Sequence, residues 1–331
     1  MFETYLVNQN VIGSTVITAL DYSELMMYST YEGKVFMKSR DHFRTIDEKW
    51  FMPADSVTAN ANVIRLKDGR MMILIKLVSP IIRIAELGGA DFVALFSTDD
   101  GHTFGNPVRL NRDNGCYYIM NQRIMRTHSG RIIVPVGWVP NELLEKEHET
   151  VGYSGCFYSD DEGQSWKESK WVEGKTVDQL CEPIVVQGSD KRLFMYMRTG
   201  KGYLYYSVSD DDGVVWSTEE RSELRSPCAP FCIQYDKYEN RFLAVWCNSF
   251  PGPVIQCPRS PICLAQSYDG MHWKMICELD NNPDRSYGYP MIKAYKEEIL
   301  ITYYENPTRK FNFRIHRLKC KIFDRKELLS K

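Results

Sequence analysis

A short acidic turn recurs five times along the chain, and its spacing constrains the fold more than any other feature of the sequence. Three copies follow the pattern Ser-x-Asp-x-Gly-x-x-aromatic and begin at Ser97, Ser159 and Ser209. A fourth copy, at 267–273, is one residue shorter, and a fifth, at 39–43, lacks the glycine. The aspartates of the five copies, at positions 41, 99, 161, 211 and 269, are 50 to 62 residues apart. A period of this length indicates one supersecondary unit that is used repeatedly.

The residues of the turn favour a β-hairpin. Aspartate can accept hydrogen bonds from the backbone of the turn, glycine allows a positive φ, and the aromatic ring can pack beneath the hairpin. Runs rich in β-formers precede the four complete copies, at 92–96, 155–158, 203–208 and 262–265. Hairpins at this spacing predict propeller blades. The alternative is a β-sandwich with chance hairpins, and it would have to explain four matched aromatic residues.

A second pattern, between the turns, predicts the innermost strand of each blade. It has a polar or small start, an apolar run and then a charged turn. Its six examples lie at 14–20, 60–69, 121–130, 182–190, 227–236 and 289–298. They predict six blades, and strands from 299–304, 313–322 and the extreme N-terminus would complete the last one. We therefore expect residues 1–331 to form a single all-β domain, a six-bladed antiparallel propeller with little helix.

Composition narrows the partners that this chain could have. The formal net charge is −2, without the basic surplus of a nucleic-acid-binding protein. No apolar run approaches the ~18–20 residues of a membrane span, and the N-terminus lacks the basic and apolar regions of a signal peptide, so we expect a cytoplasmic protein. The ten cysteines are scattered, which favours buried thiols over disulfides, and no His/Cys set matches a zinc site. We expect neither metal nor cofactor.

The repeated turn resembles the Asp-box, or BNR repeat, of the sialidase (neuraminidase) superfamily of six-bladed propellers. The resemblance covers nearly the whole chain. It is specific for architecture rather than for chemistry, because related propellers include other glycosidases, lyases and binding proteins.

The resemblance also implies a site where the inner strands begin, at one end of the propeller axis. Glu182 and Arg198 are similar to the family's glutamate that polarises a nucleophilic tyrosine and to an arginine that binds the substrate carboxylate. Arg259 corresponds to a second arginine of the carboxylate-binding triad. Tyr289, with 303–305 after it, corresponds to the nucleophile and a supporting glutamate. Guanidinium groups bind carboxylates through bidentate hydrogen bonds, and sialidases are the glycosidases that use tyrosine as nucleophile.

The chain departs from the family pattern at two places. The first arginine of the triad would fall near 60–62, where the chain has none; Asn62 stands there as a residue expected to contact substrate. Arg83 or Arg123 could replace the lost charge, and Asn121 and Arg123 begin another inner strand that could contact the ligand. For the acid/base group, Asp91 is the nearest candidate, followed by Glu86.

The sequence therefore predicts a retaining exo-glycosidase that hydrolyses a terminal acidic sugar. The alternatives are a propeller that binds carbohydrate without hydrolysing it, and a propeller glycosidase or lyase of different sugar specificity. An enzyme requires Glu182, Tyr289 and a carboxylic acid around one cavity, so the geometry of the axial mouth separates these hypotheses. The sequence makes no prediction of oligomeric state.

Overall fold

Six antiparallel sheets make up the structure, which is a computed structural model of the 331-residue chain. It describes residues 1–7, 11–20, 22–30, 32–53, 57–78, 90–111, 115–120, 123–140, 152–174, 180–250, 259–308 and 316–329. Each sheet is one blade, and together the blades form a six-bladed β-propeller, which confirms the predicted fold and blade number.

The strands of each blade are consecutive in sequence except at the closing blade. Blade 1 contains β2 (Ile12–Ala19), β3 (Glu24–Ser29), β4 (Gly33–Ser39) and β5 (Glu48–Pro53). Blade 2 contains β6 (Val57–Arg65), β7 (Met71–Val78), β8 (Ala90–Ser97) and β9 (Val108–Arg109). Blade 3 contains β10 (Gly115–Tyr118), β11 (Met125–Arg126), β12 (Ile132–Pro140), β13 (Tyr153–Ser159) and β14 (Lys167–Glu168), and both β10 and β11 pair with β12.

The second half of the chain continues the pattern. Blade 4 contains β15 (Cys181–Gln187), β16 (Leu193–Arg198), β17 (Tyr203–Ser209) and β18 (Glu220–Arg225). Blade 5 contains β19 (Cys232–Asp236), β20 (Arg241–Cys247), β21 (Ile262–Ser267) and β22 (Lys274–Asp280). Blade 6 contains β23 (Ser286–Ala294), β24 (Glu298–Asn306), β25 (Arg317–Asp324) and β1 (Phe2–Val7). A five-residue helix, α1 (Arg325–Leu329), follows β25; among the described residues no helix is long and apolar enough to cross a membrane.

The two ends of the chain meet in blade 6, as the sequence predicts. Strand β1 pairs with β25 in antiparallel register, with Thr4 opposite Cys320. The Tyr5 hydroxyl donates to Glu305 at 2.8 Å, across 300 residues of sequence. Lys319 forms ion pairs with Glu3 and Asp280 at 2.8 and 2.7 Å. These contacts close the ring without a covalent bond.

The Asp-boxes connect the third and fourth strands of their blades, at the end opposite the inner-strand starts. In the third box, Asp161 accepts hydrogen bonds from the Ser159 hydroxyl at 2.8 Å and from the Ser165 backbone N–H at 2.9 Å. The fourth box, in blade 4, contacts the preceding blade: a Cβ added at Gly213, where φ is +85°, would lie 2.8 Å from Ile133 of blade 3. Glycine is needed there for its conformation and for its small size. The boxes are thus structural contacts between neighbouring blades.

The degenerate first box keeps the same hydrogen bonds but differs from the prediction in one position. The Phe43 N–H donates to the Ser39 hydroxyl at 2.9 Å, as the Gly101 N–H donates to Ser97 at 2.8 Å. Phe43 therefore occupies the glycine position, with φ of +63°, and not the aromatic position that the sequence pattern assigned to it. Its ring is 1% exposed and belongs to the core between blades 1 and 6, so burial compensates for the unfavourable backbone conformation.

The inner strand of blade 5 begins later than predicted. The pattern placed it from 227 onward, whereas β19 starts at Cys232. Two residues before it account for the delay: Cys228 has a positive φ of 59°, and Pro230 has no N–H to donate to the ladder.

Candidate active site at the axial mouth

Three residues at or just before inner strands have an unusual backbone conformation, and they mark the candidate site. Of the ten described non-glycine residues with positive φ, seven lie in hairpin turns. The other three are Glu182, Cys228 and Tyr289, with φ of 47°, 59° and 50°, at the inner-strand starts of blades 4, 5 and 6. Such conformations cost about 1–3 kcal/mol and persist where the surroundings enforce them, often at functional sites.

Glu182 and Tyr289 occupy matching β-bulges. The register of β15 against β16 shifts between Cys181 and Ile184, and that of β23 against β24 shifts between Gly288 and Met291. Each bulge contains a proline directly after the left-handed residue, where a missing N–H costs no ladder hydrogen bond. Bulges re-aim side chains, so the two strands present Glu182 and Tyr289 in the same way from different blades.

Arg198 forms an ion pair with Glu182. It ends β16, the strand beside β15, and its Nη1 lies 2.6 Å from Glu182 Oε2. The two side chains are 11% and 15% exposed. Burial by itself lowers the pKa of a guanidinium, but the nearby carboxylate outweighs it and holds the pKa of Arg198 well above its usual value. Arg198 is therefore charged and directed at the site's own acid.

Tyr289 and Arg259 come together at the same mouth. Arg259 is 8% exposed and precedes β21, and its backbone carbonyl accepts a hydrogen bond from the Tyr287 N–H at 3.0 Å. Burial and the negative charge of Glu182 raise the pKa of Tyr289, whereas Arg259 and Arg198 oppose the rise, Arg259 in part through a hydrogen bond. At neutral pH the Tyr289 phenol is thus neutral and lies within the electrostatic reach of both arginines and of Glu182.

Arg123, which the sequence suggested as a substrate-binding residue, is buried and contacts another blade. Its Nη2 donates to the Phe231 carbonyl at 2.8 Å, and its guanidinium lies 5.2 Å from the centre of the Phe231 ring. This contact joins blade 3 to blade 5 across the axis. Burial lowers the pKa of Arg123, and the charge of Glu182 opposes this effect. Arg123 therefore adds positive charge beneath the mouth.

The Asn62 side chain forms hydrogen bonds that join blade 2 to blade 3. Its side chain is fully buried; Oδ1 accepts from the backbone N–H groups of Arg123 and Ile124, and Nδ2 donates to the Met120 carbonyl. These contacts hold the chain at the start of blade 3. Both polar atoms of the amide are thus engaged within the protein, and contact of Asn62 with substrate stays a prediction.

The sequence did not single out several residues that adjoin the cluster. Tyr118 is directed toward blade 4, where its hydroxyl donates to the Leu180 carbonyl at 3.4 Å; burial raises its pKa, as do Cys181 and Glu182. Behind Tyr289, the Tyr304 ring lies at 5.6 Å and the His316 ring 5.3 Å beyond that. Burial and then Arg259 lower the pKa of His316 to about 4, so it is neutral. A lone aromatic or histidine carries no sequence pattern that could have revealed these positions.

Other candidates fall elsewhere. Glu305, which the resemblance placed in support of the site, binds Tyr5 and Arg285 in the closing blade. The backbone of Asp91 pairs with Leu77 in blade 2, but its side chain lies outside the described part of the chain. Asn121, Arg83 and Glu86 also lie outside the described residues.

Comparisons with known proteins agree with this architecture. A family model described as a BNR repeat-like domain matches residues 52–299. A search of curated proteins gives no significant match. Among solved structures, a protein of unknown function from Dyadobacter fermentans superposes with a TM-score of 0.70 at 15% identity, covering 97% of this chain and 99% of the other.

Two sialidases have the same fold. The Trypanosoma rangeli sialidase in complex with 2,3-difluorosialic acid, a covalent intermediate, gives a TM-score of 0.72 at 15% identity over 98% of this chain. This chain spans only 55% of that protein's length. The NanB sialidase from Streptococcus pneumoniae gives 0.72 at 12% identity, over 98% of this chain and 70% of the other. At these identities the likeness establishes the fold, and the chemistry rests on the residues at the mouth.

Proposed function

Because the chain belongs to the BNR repeat-like domain family, we propose that it is a sialidase-like retaining exo-glycosidase that hydrolyses a terminal acidic sugar. One observation carries the proposal. Glu182 and Tyr289 lie in matching strained bulges of separate blades, and Arg198 and Arg259 lie against them. A nucleophile, a base and two guanidiniums are groups that this reaction uses, together with an acid that protonates the leaving group.

The first half of the reaction forms a covalent intermediate. The Tyr289 phenol oxygen attacks the anomeric carbon, and its proton passes to Glu182 as the glycosidic bond breaks. Asp91 protonates the leaving oxygen. A neutral phenol suits this role because an anionic nucleophile would be repelled by a carboxylate next to the anomeric carbon.

The second half releases the sugar. Asp91, now ionised, takes a proton from water, and the resulting hydroxyl attacks the anomeric carbon. The bond to Tyr289 breaks, and the phenol oxygen regains its proton from Glu182. Two inversions give net retention of configuration.

The positive charge of the mouth supports an acidic substrate. Arg198 and Arg259 can donate to a carboxylate, and Arg123 adds charge from below. Asn62 is buried where the family resemblance implies a third arginine, so we expect weaker capture of ordinary sialosides and a preference for another acidic or modified sugar.

Trapping of the intermediate provides the test. The protein is incubated with 2,3-difluorosialic acid and, separately, with an aryl sialoside and aryl glycosides of neutral sugars and uronic acids. The proposal predicts hydrolysis of an acidic glycoside with retained configuration, and a peptide adduct on Tyr289 if the sugar is sialic acid. Hydrolysis confined to neutral glycosides, or an adduct on another residue, would contradict it.

A second function, carbohydrate binding without hydrolysis, is favoured by the ion pair between Glu182 and Arg198. At 2.6 Å the arginine occupies the carboxylate that must accept the phenol proton. If the protein is inert on all of these glycosides but binds acidic glycans, the binding function replaces the enzymatic one.

A further inference from the structure

A separate cavity of about 340 Å³ lies on the propeller axis. Its walls include residues 184–187, the later part of β15, and residues 232–235 of β19, whereas Glu182 lies near the beginning of β15. His128 and Lys237, in the hairpins that follow β11 and β19, also line it. The cavity therefore opens at the end of the axis where the Asp-boxes lie, opposite the candidate active site.

The wall of this axial cavity combines apolar surface with positive charge. Ile124, Met125 and Tyr235 are partly exposed and contribute apolar side chains, and Arg123, Arg126 and Lys237 contribute cations. None of the described lining residues is an aspartate or a glutamate. Of the three cations, Arg126 is neutralised by Glu162, with which it forms two hydrogen bonds of 2.5 and 2.7 Å.

Arg123 and Lys237 keep their charge available to a ligand. Arg123 is 4% exposed, and its only hydrogen bond from the guanidinium to a described residue is the one from Nη2 to the Phe231 carbonyl. Its Nε has no partner among the described residues. At the rim, Lys237 lies near a second cation: burial lowers the pKa of Lys293 in β23, the charge of Glu24 opposes this effect, and the charge of Lys237 adds to it. The buried guanidinium of Arg123 and the ammonium group of Lys237 favour an anion between them.

We propose that the axial cavity binds a small organic anion, a carboxylate with a short aliphatic portion. The carboxylate would pair with Arg123 at the inner end or with Lys237 at the rim, and the aliphatic part would pack on Ile124, Met125 and Tyr235. A volume near 340 Å³ is at the lower end of the roughly 300–1,000 Å³ of ligand pockets, so the ligand must be small. The inference goes beyond the glycosidase proposal, because it concerns a different cavity and involves no bond cleavage.

Sodium hexanoate is a suitable probe, and isothermal titration calorimetry measures its binding to the intact protein. We expect saturable binding of one hexanoate per chain, and about tenfold weaker binding of neutral 1-hexanol, because charge-assisted hydrogen bonds are lost. Absence of saturable hexanoate binding, or equal affinity for hexanol, would overturn the proposal.

Variants locate the binding. Met125→Trp adds bulk at a partly exposed lining position and should abolish hexanoate binding; Lys237→Gln removes an exposed rim charge and should weaken it severalfold. Lys274→Gln, an exposed lysine outside the lining, is the matched control and should bind as the wild type does. Hexanoate affinity unchanged in both Met125→Trp and Lys237→Gln would overturn the proposal.

The arginines of the mouth could also attract a carboxylate, so the mouth needs its own control. Arg259→Met removes a mouth guanidinium and leaves the axial lining intact. Hexanoate should bind this variant with wild-type affinity. Loss of binding would assign hexanoate to the mouth and refute the axial site, whether or not the protein hydrolyses any glycoside.

Discussion

Glu182 and Tyr289 are equivalent residues of two blades: each is the left-handed residue of a bulge at the start of an inner strand, and each is followed by proline. The repeat therefore presents two different functional groups from the same local backbone conformation. The blade between them has Cys228 in the same conformation. The strain at these three positions is part of the architecture of the mouth, and the side chains determine its chemistry.

Tyr289→Phe should lower kcat by several orders of magnitude, because it removes the oxygen that forms the covalent bond. Folding should be nearly unchanged, since the ring remains. The measurement is steady-state hydrolysis of whichever aryl glycoside the wild type cleaves, together with thermal unfolding. Tyr304→Phe is the control: its hydroxyl is buried without a hydrogen-bond partner among the described residues, so activity should persist. Full activity in Tyr289→Phe would exclude this nucleophile.

Arg198→Lys should raise KM about tenfold with a smaller change in kcat. Lysine keeps a positive charge beside Glu182 but cannot present a planar pair of donors to a carboxylate. Arg192→Lys, in the hairpin at the other end of β16, is the matched control and should leave both constants unchanged. A large fall in kcat at constant KM would show that Arg198 acts on the reacting atoms through Glu182 and not on substrate binding.

Asp161→Ala should destabilise the fold by about 2 kcal/mol and leave the mouth intact, because the turn loses several hydrogen bonds to a charged acceptor. The carboxylate accepts three hydrogen bonds from Ser159 and Ser165. Urea unfolding measures the loss of stability. Asp210→Ala, whose side chain is 82% exposed, should change the free energy of unfolding by less than about 0.5 kcal/mol. Equal effects of the two substitutions would contradict the structural role of the box.

Gly213→Ala and Gly69→Ala separate two reasons for glycine in this fold. Their φ values, +85° and +86°, are nearly the same, but an added Cβ meets Ile133 at 2.8 Å in the first case and nothing within 4 Å in the second. Gly69→Ala should cost about 1 kcal/mol from backbone conformation alone, and Gly213→Ala clearly more. Chemical denaturation of both variants tests this. A larger loss at Gly69 would refute the inter-blade packing argument.

Stability should fall as the pH drops from about 4 to about 2. Hydrogen bonds from Thr103 and Ser97 lower the pKa of Asp99 to about 2, against ~3.9 in an unfolded chain. A depressed folded-state pKa gives stability that is complete above the unfolded value and is lost as pH falls through the folded one. Urea midpoints between pH 2 and 7 measure this loss. Asp99→Asn should flatten the dependence; an unchanged slope would show that other carboxylates dominate.

The sequence predicted the fold well because the same turn motif recurs in successive blades. Each box occupies one hairpin and contacts the blade before it, so local signals such as Gly213 and Trp216 report the global architecture. In the degenerate box the predicted position of Phe43 was wrong. Packing of the Phe43 ring in the core outweighs the preference for glycine at a position with positive φ, which the pattern assumes.

The site was less predictable. Positive φ at Glu182 and Tyr289 arises from strand pairing and has no signature in a single sequence. The contacts of Asn62 and Arg123 reach across blades separated by more than 50 residues, so neither the buried amide nor the bridge to Phe231 could be inferred from local pattern. Residue types indicated the chemistry, but only the ring of blades shows which groups meet.

Because β1 completes the closing blade, its strand partner becomes available only late in synthesis. During synthesis β1 is made before the other strands of the propeller, whereas its partner β25 is made after them. Blades 1 to 5 can form while β1 remains an exposed edge strand, a state prone to pairing with other chains. The growing chain must keep that edge unoccupied through roughly three hundred residues of translation, so the last native contact to form also removes this aggregation hazard.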